Sequence, residues 1–219
     1  MRIIKTGLIA ICIVAVLGIA LMVINVLQNG SGKWDGRSIE SILGVPAAKA
    51  TVQDIRKLSK SDVMQLFLAA PAPKFEQMKG EYKAELVPVG IGYPVFKLYS
   101  HYLLVSGDWK GKAFYPFAKN KGWGYNLGEI HKNGKPAILR DVKMDTCIGK
   151  SRLDEKNSFH LDYSPHNRWV NYFMDDEVRK VNDNLYICMG FTLLSGHRLN
   201  PIPFVLYERS PWIGPDKKE

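Results

Sequence analysis

The feature that most constrains this chain is a long apolar run at its amino terminus. From Thr6 to Leu27 the sequence carries no charged residue, and about 20 apolar residues suffice to cross the hydrocarbon core of a bilayer as a helix. A cleaved signal peptide is the competing interpretation, but its apolar core would be shorter and a small-x-small site would follow it directly. The sequence therefore predicts an uncleaved signal-anchor over residues 1–29.

Basic residues predict the orientation of this transmembrane anchor. Arg2 and Lys5 precede the apolar run, whereas Lys33 and Arg37 follow it at a greater distance. Positively charged flanks tend to stay in the cytoplasm, so the short amino terminus is expected there. We therefore expect a single-pass membrane protein whose remaining chain is periplasmic or extracellular.

The charge of the chain constrains its partners. The formal net charge is +9, but the lysines are scattered and no base-stacking motif accompanies them, so no nucleic-acid partner is expected. A basic surface on the outer side of a membrane favours anionic lipid head groups. An ordinary solvated surface is the alternative interpretation. Membrane lipid is thus the expected partner, and the sequence makes no prediction of oligomeric state.

The cysteines leave two possibilities open. Cys12 lies in the predicted anchor, so Cys147 and Cys188 could form one disulfide in an oxidising compartment. Both also lie in apolar, strand-like runs, where a free thiol packs as a small hydrophobic group. The chain contains no CxxC or HExxH motif. Neither a metal nor another cofactor is therefore predicted.

A linker and helical leader are predicted over residues 30–77. Thr51 is followed three residues later by Asp54, which is typical of a capping box at a helix start. Ser59 begins a second helical segment, and prolines end it. The sequence predicts helices at about residues 51–70, and we expect this leader to close one end of the domain that follows.

Short aromatic and β-branched runs separated by turn residues follow from Met78. The spacing of apolar residues predicts one helix, from about Pro94 to Val105. The other runs alternate as strands do, and the pair Asn133-Gly134 predicts a tight hairpin. Seven or eight antiparallel strands at this spacing predict a mainly β barrel over residues 78–208, with a tail over residues 209–219.

Three segments resemble the small GxWxG-type domains of bacteria and plants. They are MKGEYKAELVPVG, GDWKGKAF from Gly107 to Phe114, and DDEVRKVNDNLYICMG from Asp175 to Gly190. Tyr82 and Ala84 stand where that family has Trp and Gly. The resemblance implies an antiparallel lipocalin-like, or calycin-like, β-barrel, here preceded by the transmembrane helix and the short helical segment. It implies no activity.

One stretch, FHLDYSPHNRW, holds the densest group of proton-transfer side chains. His160 beside Asp162 could act as a general base with Tyr163 or His166 as the acid, although strand alternation places His160 and Tyr163 on opposite faces. The alternative is an ordinary charge ladder on the outer surface, in which His160 and Asp162 meet Arg179 and Glu177. No nucleophile-elbow or phosphate-loop motif occurs. Catalysis is therefore the less favoured interpretation.

A ligand inside the barrel would need an apolar wall and a few polar groups. Arg179, paired with Glu177 or Asp162, could hold a ligand carboxylate. The expected function is binding or transfer of a hydrophobic small molecule or lipid at the outer face of the membrane. The alternatives are an envelope structural or interaction protein and a lyase or isomerase acting on an apolar substrate. The aromatic residues that could form the wall, or equally an ordinary core, are Trp109, Phe114, Trp123, Tyr125 and Tyr186.

Overall fold

Eight antiparallel strands form the body of the structure, and each hydrogen-bonds to the next along the chain. The last strand pairs with the first, so the sheet closes into a barrel, as predicted. The computed structural model describes residues 2–214, with side chains at all of these positions except 2–11, 14 and 194. The strands are β1 (Gly80–Leu86), β2 (Asp108–Ala118), β3 (Lys121–Lys132), β4 (Lys135–Lys150), β5 (Asn157–Asp162), β6 (Asp175–Asn182), β7 (Leu185–Phe191) and β8 (Ile202–Ser210).

Two helices of the leader begin at the capping residues that the sequence predicted. The backbone N–H of Thr51 donates to the Asp54 carboxylate at 3.0 Å, which completes the predicted capping box. The side chain of Ser59 accepts from the backbone N–H of Asp62 at 3.1 Å and caps the next helix. The helices are α1 (Arg2–Leu27), α2 (Ile39–Leu43), α3 (Val52–Arg56), α4 (Lys60–Ala69) and α5 (Tyr93–Tyr102).

The predicted membrane anchor falls partly outside the described residues, because Met1 and the side chains of residues 2–11 and 14 are not described. Among the residues whose side chains the structure describes, no helix is both long enough and apolar enough to cross a membrane.

The leader helices pack on the side of the barrel rather than closing its end. Side chains such as Leu66 and Phe67 of α4 bury the outer faces of Ile187 and Val205. The expectation that the leader closes one end of the barrel was wrong. All residues of β7 are buried, so its outer apolar face must be covered, and the leader helices cover it. A short 3-10 turn, Phe75–Met78, closes that end of the barrel instead.

Arg179 joins the leader to the barrel wall. This side chain is 0 % exposed, yet it lies on the outer face of β6 beneath α4. Its guanidinium donates to Asp154 at 2.8 Å and to the Phe67 carbonyl at 3.0 Å, and its Nε donates to Ser158 at 2.9 Å. The expected partners, Glu177 and Asp162, are not its partners, because the loop after β4 brings Asp154 to it.

Strand direction gives the barrel two different ends. At one end, which we call the mouth, lie α5, the β3–β4 hairpin, the segment 163–174 and the β7–β8 loop. At the other end, the base, lie the 3-10 turn Phe75–Met78 and the connections β2–β3, β4–β5 and β6–β7. The predicted hairpin turn is present, with φ of 54° at Asn133 and 75° at Gly134.

The carboxyl end of α1 is attached at the mouth through buried amides. The Asn25 side chain donates to Asn200 at 2.7 Å and accepts from the backbone N–H of Gly92 at 3.0 Å. Lys60 donates to the Asn200 side chain at 2.8 Å and to the Asn25 carbonyl at 2.5 Å. Burial lowers the pKa of Lys60 to about 8, because the charged ammonium loses its hydration there.

Replacing Arg179 by Met should lower the free energy of unfolding by about 3 kcal/mol, because the partly buried carboxylate of Asp154 loses its nearest cation and the Phe67 carbonyl loses a buried donor. The measurement is a urea titration of the full chain in detergent, in which tryptophan fluorescence reports unfolding. The control is Lys121→Met, at an exposed position of β3, which should change this free energy by less than about 0.5 kcal/mol. Equal effects of the two substitutions would contradict the structural role of Arg179.

Candidate functional site

The base half of the barrel interior is filled by aromatic rings. Phe159 contacts both Phe75 and Phe114, with ring centroids 5.7 and 5.3 Å apart. Tyr82 contacts Phe114 and Tyr186 at 5.6 Å each. These rings come from strands that alternate inward and outward, and they pack in tilted and edge-to-face pairs. The base half is therefore a packed aromatic core.

A buried polar cluster occupies the mouth half of the interior. It consists of Lys112 from β2, Asn126 from β3, Asp176 from β6 and Tyr163, which follows β5. The ammonium of Lys112 lies 2.9 Å from Asp176 Oδ2 and donates to Asn126 Oδ1 at 2.9 Å. The Lys112 ammonium also contacts the Tyr163 hydroxyl. The ion pair thus has hydrogen-bond partners on several sides, as a buried charge requires.

Tyr163 acts in this cluster as a hydrogen-bond donor. Burial, and then the charge of Asp176, raise the pKa of Tyr163 well above its usual value. The hydroxyl therefore stays protonated and donates a hydrogen bond to Asp176 at 2.9 Å. Asn126 is fixed in turn, because its amide donates to the Leu104 carbonyl at 3.2 Å. The cluster is rigid and ties the connection after α5 to the interior of the barrel.

A small cavity of about 30 Å³ lies between this cluster and α5. It has room for about two water molecules. Lys112 and Asp176 border it from below, and the α5 side chains Phe96, Tyr99 and Ser100 border it from above. The remaining lining is largely apolar and comes from Leu86, Leu104, Trp109, Met174, Gly190, Thr192, Ile202 and Phe204.

Trp109 is the unusual member of this lining. Its side chain is buried, at 8 % exposure, and its indole N–H has no hydrogen-bond partner within the described part of the chain. The ring packs edge-on against Phe204, at a centroid distance of 5.7 Å, and the Lys112 ammonium lies 5.4 Å from the Trp109 ring. A buried donor without a partner costs about 1–3 kcal/mol. Trp109 therefore brings a buried, unpaired donor to the lining of the cavity.

The predicted aromatic wall is divided between the two faces of the barrel. Trp109, Phe114 and Tyr186 lie inside, within the interior core. Trp123 and Tyr125 lie on the outside, where both rings pack against Trp212, at centroid distances of 5.2 and 6.4 Å. The predicted role of these five residues in ligand binding stays a prediction.

The stretch FHLDYSPHNRW shows both faces of one strand. His160 and Asp162 point outward from β5, whereas Tyr163 points into the polar cluster. His160 stands opposite Cys147 on β4 and opposite Glu177 on β6. The barrel wall therefore separates His160, the proposed base, from Tyr163. His160 lies next to Glu177, as the charge-ladder alternative expected, but Asp162 stands opposite Asp175 and Arg179 binds Asp154, so the rest of that ladder is not formed.

Cys147, His160 and Asp162 line an open groove of about 530 Å³ on the barrel wall, whereas the neighbouring Glu177 is buried. Glu177 accepts from the backbone N–H of Arg152 at 2.7 Å, but its second oxygen and His160 Nε2 have no hydrogen-bond partner among the described residues. Within the same part of the chain, no three His, Cys, Asp or Glu side chains are placed to hold a metal ion. The groove is thus a weaker candidate than the interior cavity.

Cys147 and Cys188 lie on different faces of the wall. Cys147 is exposed in the outer groove, whereas Cys188 is buried in the interior core, and both are free thiols. The possible disulfide between them is therefore not formed. Burial, and then the charges of Asp162 and Asp145, raise the pKa of the Cys147 thiol. A raised pKa disfavours the reactive thiolate at this position.

The residues that the sequence analysis missed are Lys112, Asn126 and Asp176. A register shift between Trp109 and Gly111 interrupts the alternation of β2, so both Trp109 and Lys112 point inward. Regular alternation would have placed them on opposite faces. The signal for Asp176 was present, because Asp176 shares the inward face of β6 with apolar Val178.

The buried ion pair generates a double-substitution prediction. Lys112→Met alone should lower the free energy of unfolding by about 3–5 kcal/mol, because Asp176 is then buried without a counter-charge. Lys112→Met combined with Asp176→Leu should recover at least about half of that loss. Urea titrations of the wild type, both single variants and the double variant measure the coupling. Additive losses would show that the two side chains do not interact.

Asp175 in the outer groove predicts a dependence of stability on pH. Burial raises its pKa to about 6, although Arg152 opposes this shift. Because the folded-state pKa lies above the unfolded one, this group stabilises the fold at low pH, and that contribution disappears as the pH rises through about 6. Relative to Asp175→Asn, the wild type should therefore lose on the order of 2–3 kcal/mol between about pH 4 and 7.

The measurement is the free energy of unfolding of both proteins across this pH range. The control is Asp162→Asn, at the exposed position on β5 directly opposite Asp175. The same pH-dependent difference in the control would contradict burial of Asp175 as its cause.

Comparison with known proteins adds one likeness. No protein-family model matches the chain, and no curated protein matches it. A solved structure described as a protein from Thermomonospora curvata is similar to it over 67 % of this chain and 84 % of that chain, with a TM-score of 0.43 and 14 % sequence identity.

Proposed function

We propose that this protein is a membrane-anchored barrel that binds an apolar molecule carrying one hydrogen-bond acceptor, in the cavity beneath α5. The observation that carries the proposal is the buried indole N–H of Trp109, a residue that lines this cavity; the N–H has no hydrogen-bond partner among the described residues. A carbonyl, hydroxyl or carboxylate oxygen of a ligand would satisfy this donor. The apolar lining would receive the rest of the molecule. A lipid or a lipid-like small molecule has this combination of groups.

The cavity receives the hydrogen-bond acceptor group of the ligand first, and α5 must move to admit the rest of the ligand. At about 30 Å³ the cavity holds a polar group but not an acyl chain. Glycines flank α5 on both sides, with φ of 76° at Gly90 and 94° at Gly107. Such positions absorb the backbone changes of a moving lid. We propose that α5 swings outward from the mouth to admit the ligand.

The described part of α1 supports the membrane anchor in this proposal. Its large apolar side chains are exposed on all sides of the helix, from Ile13 and Val16 to Leu27. A helix that is apolar all round is covered by protein or by lipid. With the basic flank at Arg2 and Lys5, the amino terminus would be cytoplasmic and the barrel periplasmic or extracellular.

The architecture supports a lipocalin-like barrel. Eight strands in sequential, closed up-and-down order are the arrangement in which lipocalins hold one small ligand. Binding is better supported than catalysis, because His160 and Tyr163 lie on opposite faces of the wall. A ligand-free envelope protein is the outcome that remains if the cavity takes up nothing.

Trp109→Phe should reduce ligand occupancy about tenfold, because it removes one hydrogen-bond donor while keeping an aromatic ring in place. The full chain is purified in detergent, and bound molecules are measured by native mass spectrometry and by organic extraction. The matched control is Trp123→Phe on the outer face, which should leave occupancy unchanged. A wild-type protein that carries no apolar molecule and binds no lipid probe would refute the proposed function.

A further inference from the structure

The outer face of α5 is apolar. Val95, Leu98 and Tyr102 are 67 %, 60 % and 68 % exposed, whereas Ser100 on the inner side is buried. The three exposed residues follow one another at helical spacing, so they form one stripe that faces away from the barrel. A surface helix in water normally carries polar residues on this face. We therefore expect protein or lipid to cover this stripe.

Two other connections at the mouth carry exposed apolar side chains as well. The 3-10 turn Trp169–Phe173 exposes Trp169, which is 87 % accessible, and also Phe173. The β7–β8 loop exposes Leu193 and Leu199. By contrast, few large apolar side chains are exposed at the base, Phe117 being one of them. The exposed apolar surface outside α1 is thus concentrated at one end of the barrel.

Basic side chains are interspersed with these apolar groups. Lys97 lies on the exposed side of α5, and Arg168 and Arg198 lie in the two loops. The fourth connection at the mouth, the β3–β4 hairpin, carries Lys132 and Lys135 on either side of its turn. Apolar and aromatic groups among cations suit the interface of a bilayer that contains anionic lipids.

The mouth is also the place where α1 joins the barrel. Asn29 donates to the Leu199 carbonyl at 3.1 Å, and Gln28 accepts from the backbone N–H of Ile91 at 2.9 Å. Leu199 and Ile91 themselves expose apolar side chains. The apolar surface of α1 therefore continues into the apolar surface of the mouth, which favours one common environment for both.

We infer that the mouth of the barrel lies in the interface of an anionic lipid bilayer, with α5, the Trp169–Phe173 turn and the β7–β8 loop inserted among the head groups. The inference rests on the membrane location in the proposed function but needs no bound ligand. It places the entrance beneath α5 directly against lipid. A molecule entering the barrel then passes from the bilayer without crossing water.

The test measures contact with lipid at both ends of the barrel. The full chain, with Cys12 and Cys147 replaced by Ser, carries one fluorescent label at Leu98→Cys, at Leu193→Cys or, as the control, at Phe117→Cys. Phe117 is 57 % exposed, close to the 60 % of Leu98. Each protein is reconstituted into vesicles of equal parts phosphatidylcholine and phosphatidylglycerol, with or without bromine on the acyl chains, which quenches nearby labels.

We expect brominated lipid to quench the labels at Leu98 and Leu193 about threefold more strongly than the label at Phe117, because only inserted side chains reach the acyl boundary. Quenching at Leu98 should weaken in vesicles of phosphatidylcholine alone, because the basic residues at the mouth lose their counter-charge. Equal quenching at both ends, or none at the mouth, would overturn the inference.

Two further outcomes separate the possible explanations. A label at Leu98 that brominated lipid does not quench, but that shifts its emission as protein concentration rises, would assign this face to a second copy of the chain and overturn the inference. Normal quenching in a protein that carries no ligand would reject the proposed function and leave this inference standing.

Discussion

The pairing of β1 with β8 is the constraint on which the rest of the structure depends. Because it closes the sheet, every strand has one face toward a confined interior and one toward the outside. The interior must be filled, and aromatic rings fill its base half. The outer face of β7 is equally apolar and belongs to a second core under the leader helices. The buried contact of Arg179 with Asp154 and Phe67 joins these helices to the barrel wall.

Local patterns in the sequence predicted much of this fold. Alternation of apolar and polar residues identified the strands, and the Thr51–Asp54 capping box marked the start of α3. The pair Asn133-Gly134 marked the β3–β4 hairpin. These features depend on contacts between residues close in the chain, so the sequence displays them directly. The inward and outward sides of β5 were also predictable, since nothing interrupts its alternation between Phe159 and Tyr163.

The remaining features depend on contacts that no local pattern records. The register shift in β2 between Trp109 and Gly111 made the inward position of Lys112 unpredictable, because the alternation of inward and outward residues changes phase there. Arg179 received the wrong partner because Asp154 lies 25 positions away, in a loop whose path the sequence does not display. The apolar spacing of α5 predicted a helix correctly, but Leu98 and Tyr102 face outward. Periodicity reveals an apolar stripe without saying whether protein or lipid covers it.

The packed base of the barrel restricts the route by which the proposed ligand could enter and leave. Phe75, Phe114 and Phe159 pack together at that end, so a molecule bound beneath α5, as we propose, would have its entrance at the mouth. It would then leave by the route through which it entered. Exchange of one occupant for another would be sequential, and the departure of the first occupant would set the rate at which the second is taken up.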